Sequence, residues 1–186
     1  LARDDYLFSV GEDRKIVVWL VKTGEKISEF LVEQNQNITR LEIPSAYTNK
    51  LIVTTAEGTV QLYNFRSGKC LFVSQSFGAK ILSLAVSNYK DLIAFGCANG
   101  QVVVYNFATD ARIAEFNHES SAVTSIAFRL DRDASLCTGT VEGEIAVWDL
   151  KKRCLDGIIT KTKQVRSRAD VLDSVHSAAV HSLFSL

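Results

Sequence analysis

The chain has 186 residues, of which 47% are hydrophobic and 23% are charged, as in ordinary globular domains. Its 21 basic and 21 acidic residues leave no net charge, which excludes a globally basic nucleic-acid-binding protein, so any such contact must come from a local cluster. No apolar run reaches about 18 residues, and the sequence therefore predicts no membrane-spanning helix.

The N-terminal residues LARDD lack the basic and then apolar pattern of a secretory signal peptide. The chain contains no Met, which favours a fragment of a longer protein. Four cysteines lie in apolar, strand-like runs without a C-x-x-C pair: Cys70, Cys97, Cys137 and Cys154. We expect them to be small buried hydrophobes rather than disulfides or metal ligands, in an intracellular protein.

A pattern of short strands repeats four times along the chain, and each copy is centred on an aromatic residue. The aromatics are Trp19, Tyr63, Tyr105 and Trp148, at intervals of 44, 42 and 43 residues. Apolar residues recur three and one positions before each aromatic. A turn residue recurs five positions before it, as Arg14, Gly58, Gly100 and Gly143. Agreement at so many offsets predicts four copies of one structural unit.

The first copy (residues 5–32) starts at its second strand near Tyr6, so we expect three strands there. The second copy (37–75) has strand patterns at 38–43, 51–55, 60–65 and 71–74. The third (80–117) and fourth (122–159) follow the same scheme. Dipeptides such as Glu57-Gly58 and Asn99-Gly100 predict tight hairpins, because Gly tolerates a positive φ. No segment before residue 165 has a convincing helical pattern.

The strands that carry the aromatics are apolar on both faces, as in the VVVYNF stretch at 102–107. An exposed sheet would alternate polar and apolar residues, whereas a strand buried on both sides does not. Sheets that stack around an axis bury both of their faces. The sequence therefore predicts an all-β protein with the architecture of a β-propeller.

Residues 160–177 form an insert after the fourth copy, and residues 179–186 have the pattern of the first strand of a further copy. Residues 160–169 of the insert contain no acid and carry four cations: Lys161, Lys163, Arg166 and Arg168. We expect a mobile loop that contacts RNA or an acidic partner, with a plain solvated loop as the alternative. The strand count is compatible with two outcomes. The last strand could pair with the strand that contains Leu7 and close a four-bladed ring, or it could lie against the fourth copy in a partial propeller.

The period of 42 to 44 residues, the four strands per copy and the dipeptide Trp148-Asp149 resemble WD repeats. The resemblance implies a WD-type β-propeller of about four four-stranded antiparallel blades. It favours a partial propeller over the closed ring, because WD blades usually close as rings of seven. It also implies a stabilising network of a turn acid, a His, a Ser or Thr and the Trp, at positions similar to Glu142, His118, Thr140 and Trp148. We expect a buried Trp148 with a bonded N–H, and Glu142 within hydrogen-bond reach of His118, directly or through Thr140. The second and third copies have Tyr for Trp and no matching His.

Two longer stretches, PSAYTNKL at 44–51 and ANGQVVVYN at 98–106, are similar to the tandem-propeller WD-repeat subunits of the UTP-B complex of the small-subunit processome. This resemblance implies a non-catalytic protein-interaction scaffold for ribosome biogenesis and pre-rRNA processing, located in the nucleus and nucleolus. The implied partners are other protein subunits of a large ribonucleoprotein assembly, together with pre-rRNA or snoRNA. It implies no cofactor, metal, membrane or small-molecule substrate.

Two other function classes stay open. The stretch IAVWDLK at 145–151 approximates the W-D-x-R/K box of substrate receptors of cullin-RING ubiquitin ligases. An enzyme is the third class, but the sequence has no G-x-S-x-G, Walker-type or H-E-x-x-H motif. The three histidines, His118, His176 and His181, are too scattered for a metal site. A pull-down that recovers pre-ribosomal subunits or a ligase adaptor would separate the first two classes.

Overall fold

The computed structural model describes residues 2–3, 5–44, 47–87, 91–119, 121–129 and 135–159. The chain divides into two compact units, residues 1–81 and 82–186. Sheets 1 and 2 lie in the first unit, and sheets 3 and 4 lie in the second, except that Ile81 at the start of sheet 3 belongs to the first. Each sheet has four antiparallel strands in sequence order, so the predicted all-β class and four-stranded copies are confirmed.

The strands of the first unit follow one another along the chain without crossovers. Sheet 1 consists of β1 (Ala2–Arg3), β2 (Tyr6–Val10), β3 (Lys15–Leu20) and β4 (Glu25–Leu31). Sheet 2 consists of β5 (Ile38–Glu42), β6 (Lys50–Thr55), β7 (Val60–Asn64) and β8 (Lys69–Val73). A single 3₁₀ turn at Glu33–Asn35 lies between the two sheets.

The second unit repeats this order. Sheet 3 consists of β9 (Ile81–Val86), β10 (Leu92–Cys97), β11 (Gln101–Asn106) and β12 (Ala111–Asn117). Sheet 4 consists of β13 (Val123–Phe128), β14 (Ser135–Thr140), β15 (Ile145–Asp149) and β16 (Cys154–Ile159). None of the described residues forms a helix that is long and apolar enough to cross a membrane.

The first copy has one strand more than the sequence predicts. In β1, Ala2 pairs with Leu7 and Arg3 pairs with Tyr6, so β2 has a neighbour on both sides. A strand of two residues is too short to show the period-two alternation from which strands are recognised, which is why the sequence pattern misses it. Residues 179–186 lie outside the described part of the chain, so their pairing stays a prediction.

The turns between the second and third strands require a positive φ. Gly58 has φ +78°, and a Cβ at this position would lie 2.5 Å from the carbonyl oxygen of Ala79, so a side chain there would clash. In the first copy Arg14 occupies the matching position, also with positive φ (+62°), and its guanidinium donates to the carbonyl oxygen of Asn35 at 2.7 Å. The turn is therefore kept although the Gly is not.

Each unit has its own apolar core between its two sheets. In the first unit Phe8 and Val18 of sheet 1 pack in one cluster with Leu51 and Tyr63 of sheet 2. In the second unit strand β11 is buried on both faces, as the sequence predicts, with Val102, Val103 and Val104 fully buried. Strand β3 differs, because Ile16 and Val18 are buried while Val17 and Trp19 on its other face are half-exposed.

All four cysteines are free thiols, but not all of them are buried as the sequence predicts. Cys97 is buried, and Cys70 and Cys137 are half-buried. The prediction is wrong for Cys154, which is exposed. Cys154 begins β16, the outermost strand of sheet 4, where residues 154–156 all face solvent.

Candidate functional site

The indole of Trp148 belongs to a buried polar network in sheet 4. Its Nε1–H donates to the Thr138 hydroxyl on the neighbouring strand β14 at 2.8 Å. The same hydroxyl lies 2.7 Å from Nε2 of His118, and Nδ1 of His118 lies 2.7 Å from a carboxylate oxygen of Glu144. Trp148 is 6% exposed, so the expected burial and the bonded N–H are both confirmed.

One assignment of protons satisfies every bond of this network. Thr138 has a single O–H, which donates to Nε2 of His118 while the hydroxyl oxygen accepts the Trp148 N–H. The His118 Nδ1–H then donates to Glu144. The His118 side chain is 1% exposed and has both ring nitrogens engaged, so it cannot reach a substrate in solvent as a general base. In this arrangement His118 is a structural hydrogen-bonding group.

Aromatic contacts complete the network. Phe116 of β12 stacks on Trp148 with ring centroids 4.6 Å apart, and the His118 ring meets Trp148 edge-on at 5.2 Å. Phe116 lies near the end of β12, and His118 lies just after it on the segment that leads from sheet 3 into sheet 4. The network therefore ties this connecting segment to the third strand of sheet 4.

The hydroxyl and the carboxylate that the WD resemblance implied are each two residues away from those that the structure brings together. Thr140 is fully buried, but its hydroxyl accepts the backbone N–H of Glu144 at 3.2 Å. Glu142 lies exposed on the turn between β14 and β15. The assignment is corrected: Thr138 and Glu144 join His118 and Trp148, where Thr140 and Glu142 were expected.

Strand register contains the signal that identifies Thr138. Leu136 pairs directly with Trp148, so Thr138 is the next residue on the same face. At about 3.4 Å per residue, Thr138 lies roughly 7 Å along the strand from Leu136, and Thr140 lies roughly 13 Å from it. The indole can reach the diagonal neighbour at about 7 Å but not the residue at about 13 Å. No comparable signal separates Glu144 from Glu142, because both belong to the same turn.

Sheet 2 surrounds its aromatic, Tyr63, with a different set of polar groups. The Tyr63 hydroxyl donates to the side-chain oxygen of Gln61 at 2.6 Å and accepts the backbone N–H of Glu33 at 2.7 Å. The Gln61 amide donates to the side-chain oxygen of Gln36 at 2.9 Å. Burial raises the pKa of Tyr63 far above its ordinary value, so the phenol remains a hydrogen-bond donor at neutral pH.

Sheets 1 and 3 also give their aromatics a polar partner. Trp19 donates to the Ser9 hydroxyl at 3.0 Å. Because Leu7 pairs with Trp19, Ser9 occupies the same diagonal position that Thr138 occupies in sheet 4. The Tyr105 hydroxyl donates to a carboxylate oxygen of Asp110. The aromatic positions are thus equivalent, while their partners differ from sheet to sheet.

The predicted contact residues of the insert lie outside the described residues: Lys161, Lys163, Arg166 and Arg168. His176 and His181 also lie outside them. Within the part of the chain that the structure describes, no group of three or more His, Cys, Asp or Glu side chains is arranged to hold a metal ion.

Comparison with known families identifies the fold to which these repeated sheets belong. The model of the first β-propeller of WDR36 and Utp21 matches residues 1–186, the whole chain. The chain belongs to the WDR36/Utp21 first-propeller family. The expected WD-type propeller and the expected resemblance to this family of WD-repeat subunits are thereby confirmed.

Three curated relatives of the WDR36/Utp21 family illustrate the similarity. Human WD repeat-containing protein 36 is 27% identical over 81% of this chain and 17% of its own length. U3 small nucleolar RNA-associated protein 21 of Saccharomyces cerevisiae is 29% identical over 92% of this chain and 18% of its own length. Its Schizosaccharomyces pombe homologue is 29% identical over 83% of this chain and 18% of its own length. The chain therefore spans less than a fifth of these relatives.

A solved structure supports the fold independently. The computationally designed Ika8 protein superposes on 99% of this chain with a TM-score of 0.74, and the match covers 51% of the designed chain. Its sequence identity is 21%, so this likeness concerns the fold alone.

Proposed function

We propose that this chain is part of a non-catalytic protein-interaction scaffold that acts in assembly of the small-subunit processome and in pre-rRNA processing. The observation that most directly supports this proposal is the match of the whole chain to the first propeller of WDR36 and Utp21. Two relatives are named for association with the U3 small nucleolar RNA, which supports a place in the nucleolus beside other subunits of a ribonucleoprotein assembly.

The chemistry of the described residues favours a binding role over catalysis. His118, the one histidine among them, is buried and spends both ring nitrogens on Glu144 and Thr138. Burial raises the pKa of the Cys97 thiol to about 11, which disfavours the thiolate that a cysteine nucleophile needs. Antiparallel sheets that use their buried polar side chains in internal networks, as His118 does, suit a scaffold whose surfaces meet other subunits.

The second function class, a substrate receptor of a cullin-RING ubiquitin ligase, rests on the W-D-x-R/K box that begins at Trp148-Asp149. In the structure Asp149 accepts the backbone N–H groups of Lys151 and Lys152 at 2.8 and 2.9 Å. These bonds lower the pKa of Asp149 and form the turn before β16. Asp149 thus has a local role in the hairpin, which favours a structural origin of the box.

Affinity purification of the tagged protein from cell extract tests the proposal. We expect enrichment of small-subunit processome proteins and of the U3 small nucleolar RNA. We expect the protein partners to stay bound after ribonuclease treatment, because a protein scaffold contacts other proteins directly. Recovery of a cullin adaptor without processome subunits would instead identify a ligase receptor, and loss of every protein partner after ribonuclease would contradict the scaffold role.

We also propose that the basic insert contributes contacts to RNA or to an acidic partner. Replacement of its four cations by Ser should leave the unfolding midpoint unchanged and weaken binding, with the larger effect at low salt. The substituted positions are Lys161, Lys163, Arg166 and Arg168. Unchanged binding at low salt would leave the insert as a spacer.

A further inference from the structure

The last strand of every sheet, which we call the outer strand, has one residue more in its ladder than the strand beside it. In sheet 1 the partner of Val18 is Ser28, whereas the next residue of β3 pairs with Lys26. The ladder thus skips Ile27, and a single skipped residue of this kind is a β-bulge. The same shift lies beside the repeated aromatic of the other three sheets. The residues skipped there are Leu71, Ile113 and Asp156.

Each outer strand is an edge of its sheet. The strands β4, β8, β12 and β16 stand last in the strand order, so each has a paired neighbour on one side only within the part of the chain that the structure describes. The open side of an edge strand offers backbone N–H and C=O groups to which a strand of another chain can add. A bulge breaks the even spacing of these groups and increases the local twist, so a regular strand cannot pair along the whole edge.

In sheets 1 and 3 an ion pair spans the bulge. Lys26 binds Glu29 at 3.0 Å in β4, and Arg112 binds Glu115 at 3.3 Å in β12. The members of each pair are three residues apart, and a regular strand would direct them to opposite faces. The skipped residue between them brings both side chains to one face. These exposed pairs contribute little to stability, but charge on an edge strand opposes the addition of another strand.

Sheets 2 and 4 have other polar groups at the same place. In β8 the Cys70 thiol donates to the carbonyl oxygen of Phe72 at 3.5 Å, across the skipped Leu71, and so engages a backbone acceptor of the outer strand. In β16 the skipped residue, Asp156, is itself charged and exposed. The bulge is therefore common to all four outer strands, while the side chains around it differ.

We propose that these bulges, with the polar groups around them, keep the outer edge of each sheet from accepting an added β-strand. Partners of this chain then bind through side chains and turns, and not by extending one of its sheets. Recurrence of the bulge with different side chains indicates that the backbone irregularity is the essential part. This protection is independent of the proposed processome role, because it acts against any extended chain, including a second copy of this one.

Deletion of Ile27 removes the bulge from sheet 1 and keeps every observed pair of β3 and β4. Lys26 then precedes Ser28 directly, so regular alternation returns and no paired side chain changes face. The matched control is Ile27→Thr, which keeps the extra residue and removes its exposed aliphatic side chain. A third variant, K26T/E29T, keeps the bulge and removes the ion pair.

Sedimentation velocity of the full chain over a range of concentrations measures self-association of each variant. We expect deletion of Ile27 to strengthen self-association about tenfold relative to the parent, because the edge of β4 then matches a regular strand. Ile27→Thr should change it by less than about twofold, and K26T/E29T should have an intermediate effect of about threefold. Hydrogen exchange of the deletion variant should show new protection in residues 25–31 at high concentration, since an added strand covers that edge.

A deletion variant that has the tryptophan fluorescence of the folded parent but associates no more strongly would overturn the proposal. Equal strengthening by Ile27→Thr would also overturn it, and so would stronger association without protection of residues 25–31, because the contact would then lie elsewhere. If deletion of Ile27 prevents folding, deletion of Leu71 from β8 gives the same comparison at another exposed position, with Leu71→Thr as its control.

Discussion

Thr138 connects Trp148 to His118 because a hydroxyl donates one hydrogen bond and accepts others at the same time. Its side chain is fully buried, so no solvent replaces a lost bond. The neighbouring Thr140 is equally buried, but among the described contacts its hydroxyl bonds only the backbone N–H of the half-buried Glu144. We therefore expect the two threonine hydroxyls, two positions apart on one face of β14, to contribute differently to the free energy of unfolding.

Replacement of each threonine by Val measures this difference. Thr138→Val leaves the Trp148 N–H and the His118 ring nitrogen unpaired, and we expect a loss of about 2–4 kcal/mol in the free energy of unfolding. Thr140→Val serves as the matched control, with an expected loss of about 1 kcal/mol. Urea unfolding monitored by tryptophan fluorescence provides both values. A larger loss for Thr140→Val would contradict the corrected network.

The cysteines differ in reactivity because their burial differs. Cys154 is exposed, whereas Cys97 is buried, and burial followed by the nearby charge of Glu115 raises the pKa of its thiol to about 11. We expect iodoacetamide at neutral pH to modify Cys154 first and Cys97 last, as read by peptide mass spectrometry. All four should react in urea. Rapid modification of Cys97 in the folded protein would count against its placement.

Residue identity could be predicted from the sequence where the repeat aligned the copies, and less well where partners had to be chosen. Trp148 and His118 were found because an aromatic at a fixed period and a His before the first strand are distinctive. Thr138 was missed in favour of Thr140, although the strand register would have decided between them. Glu144 could not have been chosen from the sequence, because Glu142 in the same turn offers the same chemistry.

At the scale of the sheet, Tyr63 and Gln61 show that a network can be kept after its usual members are lost. The chain segment before β5 supplies Gln36 and the Glu33 backbone, and β7 supplies Gln61 and Tyr63. Gln61 is fully buried, so its amide and carbonyl must be satisfied inside the protein. The 3₁₀ turn at Glu33–Asn35 is thereby fixed to sheet 2.

Gln61→Leu should therefore destabilise more than its apolar character suggests. It removes the acceptor of the Tyr63 hydroxyl and one donor to the Gln36 side-chain oxygen, and we expect a loss of about 2 kcal/mol. Hydrogen exchange should rise most at the Glu33 amide, which donates to Tyr63. A variant as stable as the parent, with unchanged protection of that amide, would show that this network contributes little.

Strands β3 and β4 are joined by an ion cluster on one face of sheet 1. Hydrogen bonds from Lys15 and Lys26 hold the pKa of Glu29 at about 2, against an ordinary value near 4.3. A lowered carboxyl pKa stabilises the fold above the ordinary value, and this contribution is lost as the pH falls through about 2. NMR titration should show Glu29 changing protonation near pH 2, and nearer its ordinary value in Lys15→Met. An ordinary value in the parent would contradict the cluster.

Sheet boundaries were predictable to within two residues in the second copy, because turns with Gly and apolar alternation mark each strand. The strand Ala2–Arg3 could not be predicted, because two residues are too few to show the alternation of polar and apolar side chains. The half-exposed face of β3 was also missed. Its sequence is as apolar as that of β11, and only the presence of a packed neighbour decides whether such a face is buried.

At the scale of the whole molecule, the repeat pattern predicts the architecture, whereas the proposed function rests on the family match. A period of 42 to 44 residues with both faces of the central strands apolar is enough to predict a propeller. The same architecture serves many unrelated roles, so the packing alone does not select one. The proposed role in ribosome biogenesis therefore rests on the match to the WDR36/Utp21 family.

Depletion of this protein from cells, followed by quantification of mature ribosomal RNA and its precursors by hybridisation, tests the proposed scaffold role most directly. If the protein supports assembly of the small-subunit processome, small-subunit RNA should fall relative to large-subunit RNA while unprocessed precursor accumulates, and the intact protein should restore the ratio. An unchanged ratio of the two RNAs, accompanied by accumulation of ubiquitin-ligase substrates, would contradict the account.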